Sequence, residues 1–303
     1  MPFLRRASAL SFALLPLGEL TGFAAVETPP AIGVTVEARS LQPGELVVLT
    51  LAPNSEATAV HVQVLGRSIA AFRVDDRLWR ALVGIDIDQK PGTYAAVIDA
   101  RTHSGTRRAT EQLVITSKTF PTRVLRVDPD FVNPPGSVQP RIEREALFLR
   151  QTYAHSATER LWIGSFVRQV PGEANSRFGT RSIFNGAARS PHSGADFLSG
   201  AGTPIKAPNS GRIVVSRELY FTGNTVVIDH GQGLFSMLAH LSRLDVHEGE
   251  LVAAGQIVGL VGASGRVTGP HLHWAVRVSG ARVDPMSALE LLGDGASSAS
   301  SHK

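Results

Sequence analysis

Cysteine is absent from the 303 residues, which excludes a disulfide framework and any thiolate metal site. A metal ion, if one is bound, has only His, Asp and Glu to hold it. Aromatic residues make up 6% of the chain, and they do not interleave with Lys and Arg in the stacking pattern of a nucleic-acid surface, so no nucleic-acid partner is expected. Beyond residue 25 no apolar run approaches the ~20 residues of a membrane-spanning helix, and stable membrane insertion of the mature chain is not expected.

Glycine and proline are what the chain has in quantity, at 29 and 18 residues. With few aromatics, this balance suits short strands and turns, so the fold is expected to be mainly β. A length of 303 residues at 43% hydrophobic content suffices for two domains with real cores. A net charge of +4 fits work near anionic polymers or envelope surfaces.

The N-terminal residues place Arg5 and Arg6 before the apolar stretch Ala7 to Leu17 and end in Gly22-Phe23-Ala24-Ala25. That order reads as a secretory signal peptide over residues 1–25. The expected destination is the periplasm or cell envelope, with cleavage or retention as an anchor left open. From 32 to 122, runs such as Leu46-Val47-Val48-Leu49 and Thr93 to Ile98 alternate with turn signals such as Gln42-Pro43-Gly44, the pattern of an immunoglobulin-like β-sandwich. No constellation of reactive side chains falls in it, and an accessory role is expected. His61, in the alternating run Val60 to Val64, reads as a surface-facing strand residue.

Residues 123–165 read as a linker with Asn133-Pro134-Pro135, followed by a short helix from Arg141 to about Tyr153. Pro140 stands at a tolerated first position, Ile142, Ala146 and Leu149 share one face, and Glu143, Arg144 and Glu145 read as a solvated one. From 166 to 292 short β-type runs return, punctuated by glycine, as expected of an antiparallel sheet or barrel-like domain. The Ser- and Ala-rich tail 293–303 reads as disordered.

Four histidines and an aspartate stand out in this second half: His192 and Asp196 in His-Ser-Gly-Ala-Asp, His240 in Leu-Ala-His-Leu, and His271 with His273 in Pro-His-Leu-His-Trp. Imidazole and carboxylate are the ligands zinc accepts when thiolates are missing. Pro191 and Gly194 argue for a loop at His192 leading to a strand at Asp196. Strand alternation places His271, His273, Ala275 and Arg277 on one face and Leu272, Trp274, Val276 and Val278 on the other, an apolar face for a core beneath a polar one. One such histidine can ligate a metal while its neighbour reaches a substrate. Other motifs fail: Leu251 occupies the place of the second histidine after His247-Glu248, and Gly262-Ala263-Ser264-Gly265-Arg266 lacks the last glycine of a nucleophile elbow. His230, before Gly231, reads as structural, and His103, His155 and His302 are assigned nothing.

The second half resembles the lysostaphin/LytM family of peptidoglycan endopeptidases, which have the duplicated hybrid motif fold. The family's His-x-Gly-x-Asp is matched by His192 to Asp196, its Gly-Thr-Pro by Gly202 to Pro204, its His-Leu by His240-Leu241, and its Thr-Gly-Pro-His-Leu-His by Thr268 to His273. Leu238 stands where relatives often have tyrosine, and Trp274 where Phe or Tyr is usual. The resemblance implies that His192, Asp196 and His273 bind Zn²⁺, that His240 and His271 assist catalysis, and that the substrate is a peptide cross-link of peptidoglycan. A non-catalytic wall-binding or amidase-activating module of the same fold is the alternative. The sequence leaves open which link is cut, the oligomeric state, and whether the N-terminal domain autoinhibits.

Overall fold

The computed structural model describes residues 30–126, 134–188 and 190–293. The signal segment 1–25, Asp130 to Asn133 of the linker, and the tail beyond Gly293 with His302 lie outside them. No described helix is long and apolar enough to cross a membrane.

The described residues open with eight strands: β1 (Ile32–Ala38), β2 (Leu46–Pro53), β3 (Ala57–Val64), β4 (Arg67–Ala70), β5 (Phe72–Arg73), β6 (Trp79–Gly84), β7 (Gly92–Thr102) and β8 (Gly105–Ile115). They form two four-stranded antiparallel sheets, ordered β1-β2-β6-β5 and β4-β3-β7-β8. Strand alternation decides their facing: in β3 Val60, Val62 and Val64 are buried while His61 and Gln63 are exposed. The expectation of a surface-facing His61 is met.

Strand β2 departs from alternation because it is buried on both faces. Val47, Leu49 and Leu51 pack with Val62 and Ile98 between the two sheets. Leu46 and Val48 instead join a second core with Val278, Ala281, Val283 and Leu291. The two halves of the chain therefore share a packed boundary. Charge fixes it: Arg39 bonds both Glu45, at 2.9 Å, and Asp284, at 2.6 Å, while Arg282 reaches Asp86 at 2.6 Å. Burial works to raise the Glu45 carboxyl, but hydrogen bonds and charge from Arg39 and Lys118 hold it below the usual carboxylate range.

Next come β9 (Thr122–Leu125) and a helix, α1 (Gln139–Ala154), close to its expected bounds, with Pro140 in the first turn. Then follow β10 (Ala174–Ser176), β11 (Arg181–Phe184), β12 (Ala187–Ala188), β13 (Ala195–Phe197), β14 (Pro204–Lys206), β15 (Gly211–Leu219), β16 (Gly223–Gly231), β17 (Leu234–Leu244), β18 (Leu251–Val252), β19 (Ile257–Val261), β20 (Leu272–Val278) and β21 (Ala281–Val283). A short helix, α2 (Pro285–Leu292), ends them, capped by the Asp284 side chain on the Met286 amide. Strand β9 leaves the N-terminal sheets to pair in parallel with β11.

A ten-stranded sheet runs β10-β13-β20-β17-β16-β15-β18, with β19 and β21 pairing β17 and β20 and β14 pairing β19. In β20 the burial alternates as the sequence predicts: Leu272, Trp274, Val276 and Val278 are each at most 1% exposed. That back face meets Leu46, Val48 and Leu82 of the N-terminal sheets, so among the described residues those sheets contact the side away from His273.

Helix α1 lies on the other face, where Phe148, Leu149 and Tyr153 pack against Val215, Val227, Phe235 and Met237. Its sequence reading needs one correction. Glu143 and Arg144 are exposed, but Glu145 accepts the Tyr220 amide at 2.7 Å and an Arg141 bond at 2.6 Å, so it anchors the helix to the sheet. The cause is tertiary: the β15–β16 turn presents a free amide, which helical periodicity cannot reveal.

Candidate metal centre

Strands β13 and β20 run antiparallel with Asp196 directly opposite His273. Cross-strand partners point the same way with Cβ atoms about 5 Å apart, so a carboxylate and an imidazole meet without any loop contribution. His192 arrives from the preceding loop, which two backbone bonds tie to the start of β11: His192 N to Thr180 O at 3.0 Å and Gly179 N to His192 O at 2.8 Å. His192 Nε2 lies 3.0 Å from Asp196 Oδ1 and 3.1 Å from His273 Nδ1, which itself lies 2.8 Å from Asp196 Oδ1. Side-chain exposure is 17% for His192 and Asp196 and 12% for His273.

Three donor atoms thus form a near-equilateral triangle. Tetrahedral zinc with bonds near 2.0–2.1 Å would separate its ligands by about 3.3 Å, so the donor chemistry and spacing fit such an ion. The orientation of His192 is fixed from behind, since its Nδ1 faces the Arg177 carbonyl at 3.2 Å. A carbonyl only accepts, so Nδ1 carries the proton and Nε2 presents its lone pair. Gly194 is explained by the same crowding. A Cβ there would lie 2.4 Å from the Trp274 carbonyl and 2.6 Å from His273 Cε1, so the glycine lets the loop close on the ring.

His240 and His271 stand beside this triangle. Between Val226↔Leu238 and Asn224↔Leu241, β17 holds one more residue than β16, a bulge that turns His240 out of the regular alternation. Its φ of 68° lies in the left-handed region, costly for a residue with a Cβ. His240 Nδ1 meets the Ser264 carbonyl at 3.0 Å, and His271 Nδ1 meets the Gly269 carbonyl at 2.9 Å. By the same logic both rings carry their proton on Nδ1 and offer a bare Nε2. His271 Nε2 is 3.8 Å from Asp196 Oδ1, and the His240 ring centre is 4.9 Å from that of His271 and 5.9 Å from that of His273. His271 precedes β20 in a bridge to Gly262, so the regular strand begins one residue later than the alternation suggested.

Electrostatics favour a cation here. Burial works to raise the Asp196 carboxyl, but hydrogen bonds and charge from His192 and His273 hold it well below the ordinary carboxylate range. Burial also pushes His273 down, and burial with the neighbouring His273 imidazole lowers His240 to about 4. The pocket therefore holds the Asp196 carboxylate beside two imidazoles, His240 and His273, that resist protonation, the state in which metal ligands bind.

The other histidines separate from the site. His247 has a side chain 83% exposed, against Glu250, and His103 and His155 are exposed. His230, read as structural, is fully buried between the Ser210 carbonyl at 2.8 Å and the Ser236 hydroxyl at 3.0 Å, and burial lowers it to about 4. The folded state therefore resists a proton that the unfolded chain accepts near pH 6.5. The stability His230 contributes is intact above pH 6.5 and is lost as pH falls toward 4, by roughly 3 kcal/mol in all. Urea unfolding of wild type and His230→Gln between pH 7.5 and 4 is expected to give a steeper decline for wild type by about that amount; parallel curves would refute it.

Two contributors escaped the sequence. Ser264, met there only inside a failed nucleophile motif, orients His240 through its carbonyl, while its hydroxyl donates to Leu241 O at 2.7 Å and accepts the Asn224 amide at 2.9 Å. Its bonds span more than 20 residues, and nothing local announces them. Gly194 was used only as a helix breaker, although its place between two ligand candidates was a usable signal.

A three-donor cluster flanked by two further histidines on an open sheet face defines the class of site. The description of Peptidase family M23 matches residues 190–285, which contain all five residues. A solved structure of a Pseudomonas aeruginosa protein assigned to peptidase M23 is 34% identical, with a TM-score of 0.64, over 82% of this chain and 95% of that one. The chain belongs to peptidase family M23. Peptidoglycan DD-endopeptidase ShyA of Vibrio cholerae is 44% identical over 98 residues, 32% of this chain and 23% of that protein. Lysostaphin of Staphylococcus staphylolyticus is 38% identical over 110 residues, 34% of this chain and 23% of that protein. The chain thus spans about a quarter of the length of the curated relatives it matches.

Proposed function

We propose that this chain is an exported, zinc-dependent endopeptidase that hydrolyses amide cross-links in the stem or bridge peptides of bacterial peptidoglycan. The observation that carries the reading is the convergence of His192 Nε2, Asp196 Oδ1 and His273 Nδ1 within 4.8 Å of one another. Its context supports the substrate: the relatives over the matched segment are named as peptidoglycan endopeptidases. The export signal read at residues 1–25 and the net charge of +4 suit an anionic wall.

His192, Asp196 and His273 would hold the ion. When bound, Zn²⁺ supplies a Lewis acid that polarises the scissile carbonyl and activates water. The remaining chemistry belongs to His271 and His240. Each offers a bare Nε2, so a neutral ring there accepts a proton first and donates only afterwards. His271 takes the proton of the attacking water and returns it to the leaving amine, and the imidazolium formed in between stabilises the negative oxygen of the attacked amide. His240, lowered to about 4, stays neutral across the working range, so its bare Nε2 serves as an acceptor that orients the attacking water while His271 carries the proton.

The N-terminal strands are proposed as an immunoglobulin-like accessory unit. Because Leu46, Val48 and Leu82 complete the core of the ten-stranded sheet, removing that unit is a packing loss as well as a loss of any regulation. The non-catalytic alternative gains nothing from a donor set that is complete. Zinc-loaded protein incubated with purified sacculi is expected to release uncross-linked muropeptides, read by mass spectrometry; cross-links that survive prolonged incubation overturn the endopeptidase reading.

A further inference from the structure

A trough of about 550 Å³ runs along the site face of the sheet, between α1 and β20. Its mouth adjoins the metal centre: Ser193 follows His192, and the Thr222 carbonyl accepts the His240 amide at 2.9 Å. Ala275 lines the trough two residues along β20 from His273, and a larger side chain would fill it. Leu149, Arg150 and Tyr153 of α1 form a wall, and the end away from His273 is lined by Arg277, its guanidinium 4.6 Å from the Tyr153 ring centre, with Gly280 and Arg282 beside it.

Three features identify an occupant. The trough continues from the three-donor cluster, so a chain whose reacting bond lies at that cluster can extend into it. His273 and Arg277 are four residues apart on one strand, about 13 Å, the reach of roughly four extended peptide residues. Arg150 on the helix wall and Arg277 on the sheet provide cationic donors, while the third lining arginine, Arg282, is held by Asp86 and Asp88 outside the trough, and no acidic residue is among those lining it. An apolar floor ending in guanidinium groups matches an extended peptide with a carboxylate. Helix α1 lies outside residues 190–285, the span of the family match, so this wall is supplied by a segment the family description does not contain.

We propose that this trough seats one arm of the substrate peptide, and that Arg150 with Arg277 receives the C-terminal carboxylate of that arm, within about four residues of the scissile bond. The assignment rests on the peptidase reading above and adds the chemistry that selects the substrate. Arg150 is exposed, so its contribution is screened by salt and modest in size.

The test uses the zinc-loaded full chain and two labelled probes, a peptidoglycan stem pentapeptide and the same peptide as its C-terminal carboxamide. Fluorescence anisotropy gives Kd for each, and cleavage of cross-linked muropeptides is followed separately. Wild type is expected to bind the acid about 5- to 10-fold more tightly than the amide, with the preference shrinking in high salt. Arg150→Gln, a surface change, is expected to remove most of that preference. Ala275→Phe is expected to weaken both peptides at least ~10-fold while zinc content stays at one per chain. Equal acid and amide affinities in wild type, or an unchanged preference in Arg150→Gln, overturn the carboxylate assignment; undiminished binding by zinc-replete Ala275→Phe overturns the trough. If the probes bind as expected but muropeptides stay uncut, the peptidase reading fails and the subsite stands.

Discussion

His273→Ala is expected to lower the hydrolysis of cross-linked muropeptides by at least about 10³-fold, on the order of 4 kcal/mol of transition-state stabilisation, and to leave the protein without stoichiometric zinc. The reason is the economy of the centre. Its three donor atoms lie 2.8 to 3.1 Å apart, and no fourth His, Asp or Glu joins them among the described residues in the cluster they form. Two remaining donors do not make a closed set for a tetrahedral ion. Chelation of wild type is expected to reach the same inactive state reversibly: added zinc restores wild type and leaves His273→Ala inactive. Metal analysis beside a muropeptide assay makes the check, and a variant that keeps both zinc and turnover would refute the assignment of His273.

The second large effect separates metal binding from proton transfer. His271→Ala is expected to retain zinc yet lose about 10²- to 10⁴-fold in kcat, the usual worth of a positioned acid–base group, with KM changed far less. Its Nδ1 is committed to the Gly269 carbonyl, so its Nε2 is the only ring nitrogen that can serve a substrate. His240→Asn tests the partner ring. Asn tolerates the left-handed φ of 68° at this bulge, so the fold is expected to survive while kcat falls. Because the rings are 4.9 Å apart, the double variant is expected to cost less than the sum of the single ones. Steady-state kinetics with zinc quantified in every preparation is the measurement. Loss of zinc in His271→Ala would move that residue into the ligand set and sink the division of labour proposed here.

How much of this was legible beforehand depends on the range over which each feature is determined. Alternation in β20 announced which side of the strand would carry His273 and which would carry Trp274, since side chains of a strand point to opposite faces whatever the strand pairs with. The α1 helix was legible for a similar reason, through Pro140 and the spacing of its apolar residues. Its duty was not. Glu145 read as solvated because the amide it binds belongs to Tyr220, 75 residues away.

The same division applies to the site. Residue types alone reduced the possible ligands to imidazoles and carboxylates, because a chain with no cysteine has no thiolate to offer. Five residues stood out by type and position, and the resemblance then assigned their roles. That His192, Asp196 and His273 meet depends on the register of β13 against β20. That His240 turns toward them depends on one extra residue in β17. That a trough continues from them depends on a helix arriving from outside the matched segment. Sequence by itself determined the strand periods, the glycine-dependent turns and the chemistry available, all set within a few residues by sterics and side-chain type. Only the tertiary structure decided which of those groups share a volume a few ångströms across, because register, bulges and packing are fixed by contacts between segments far apart in the chain.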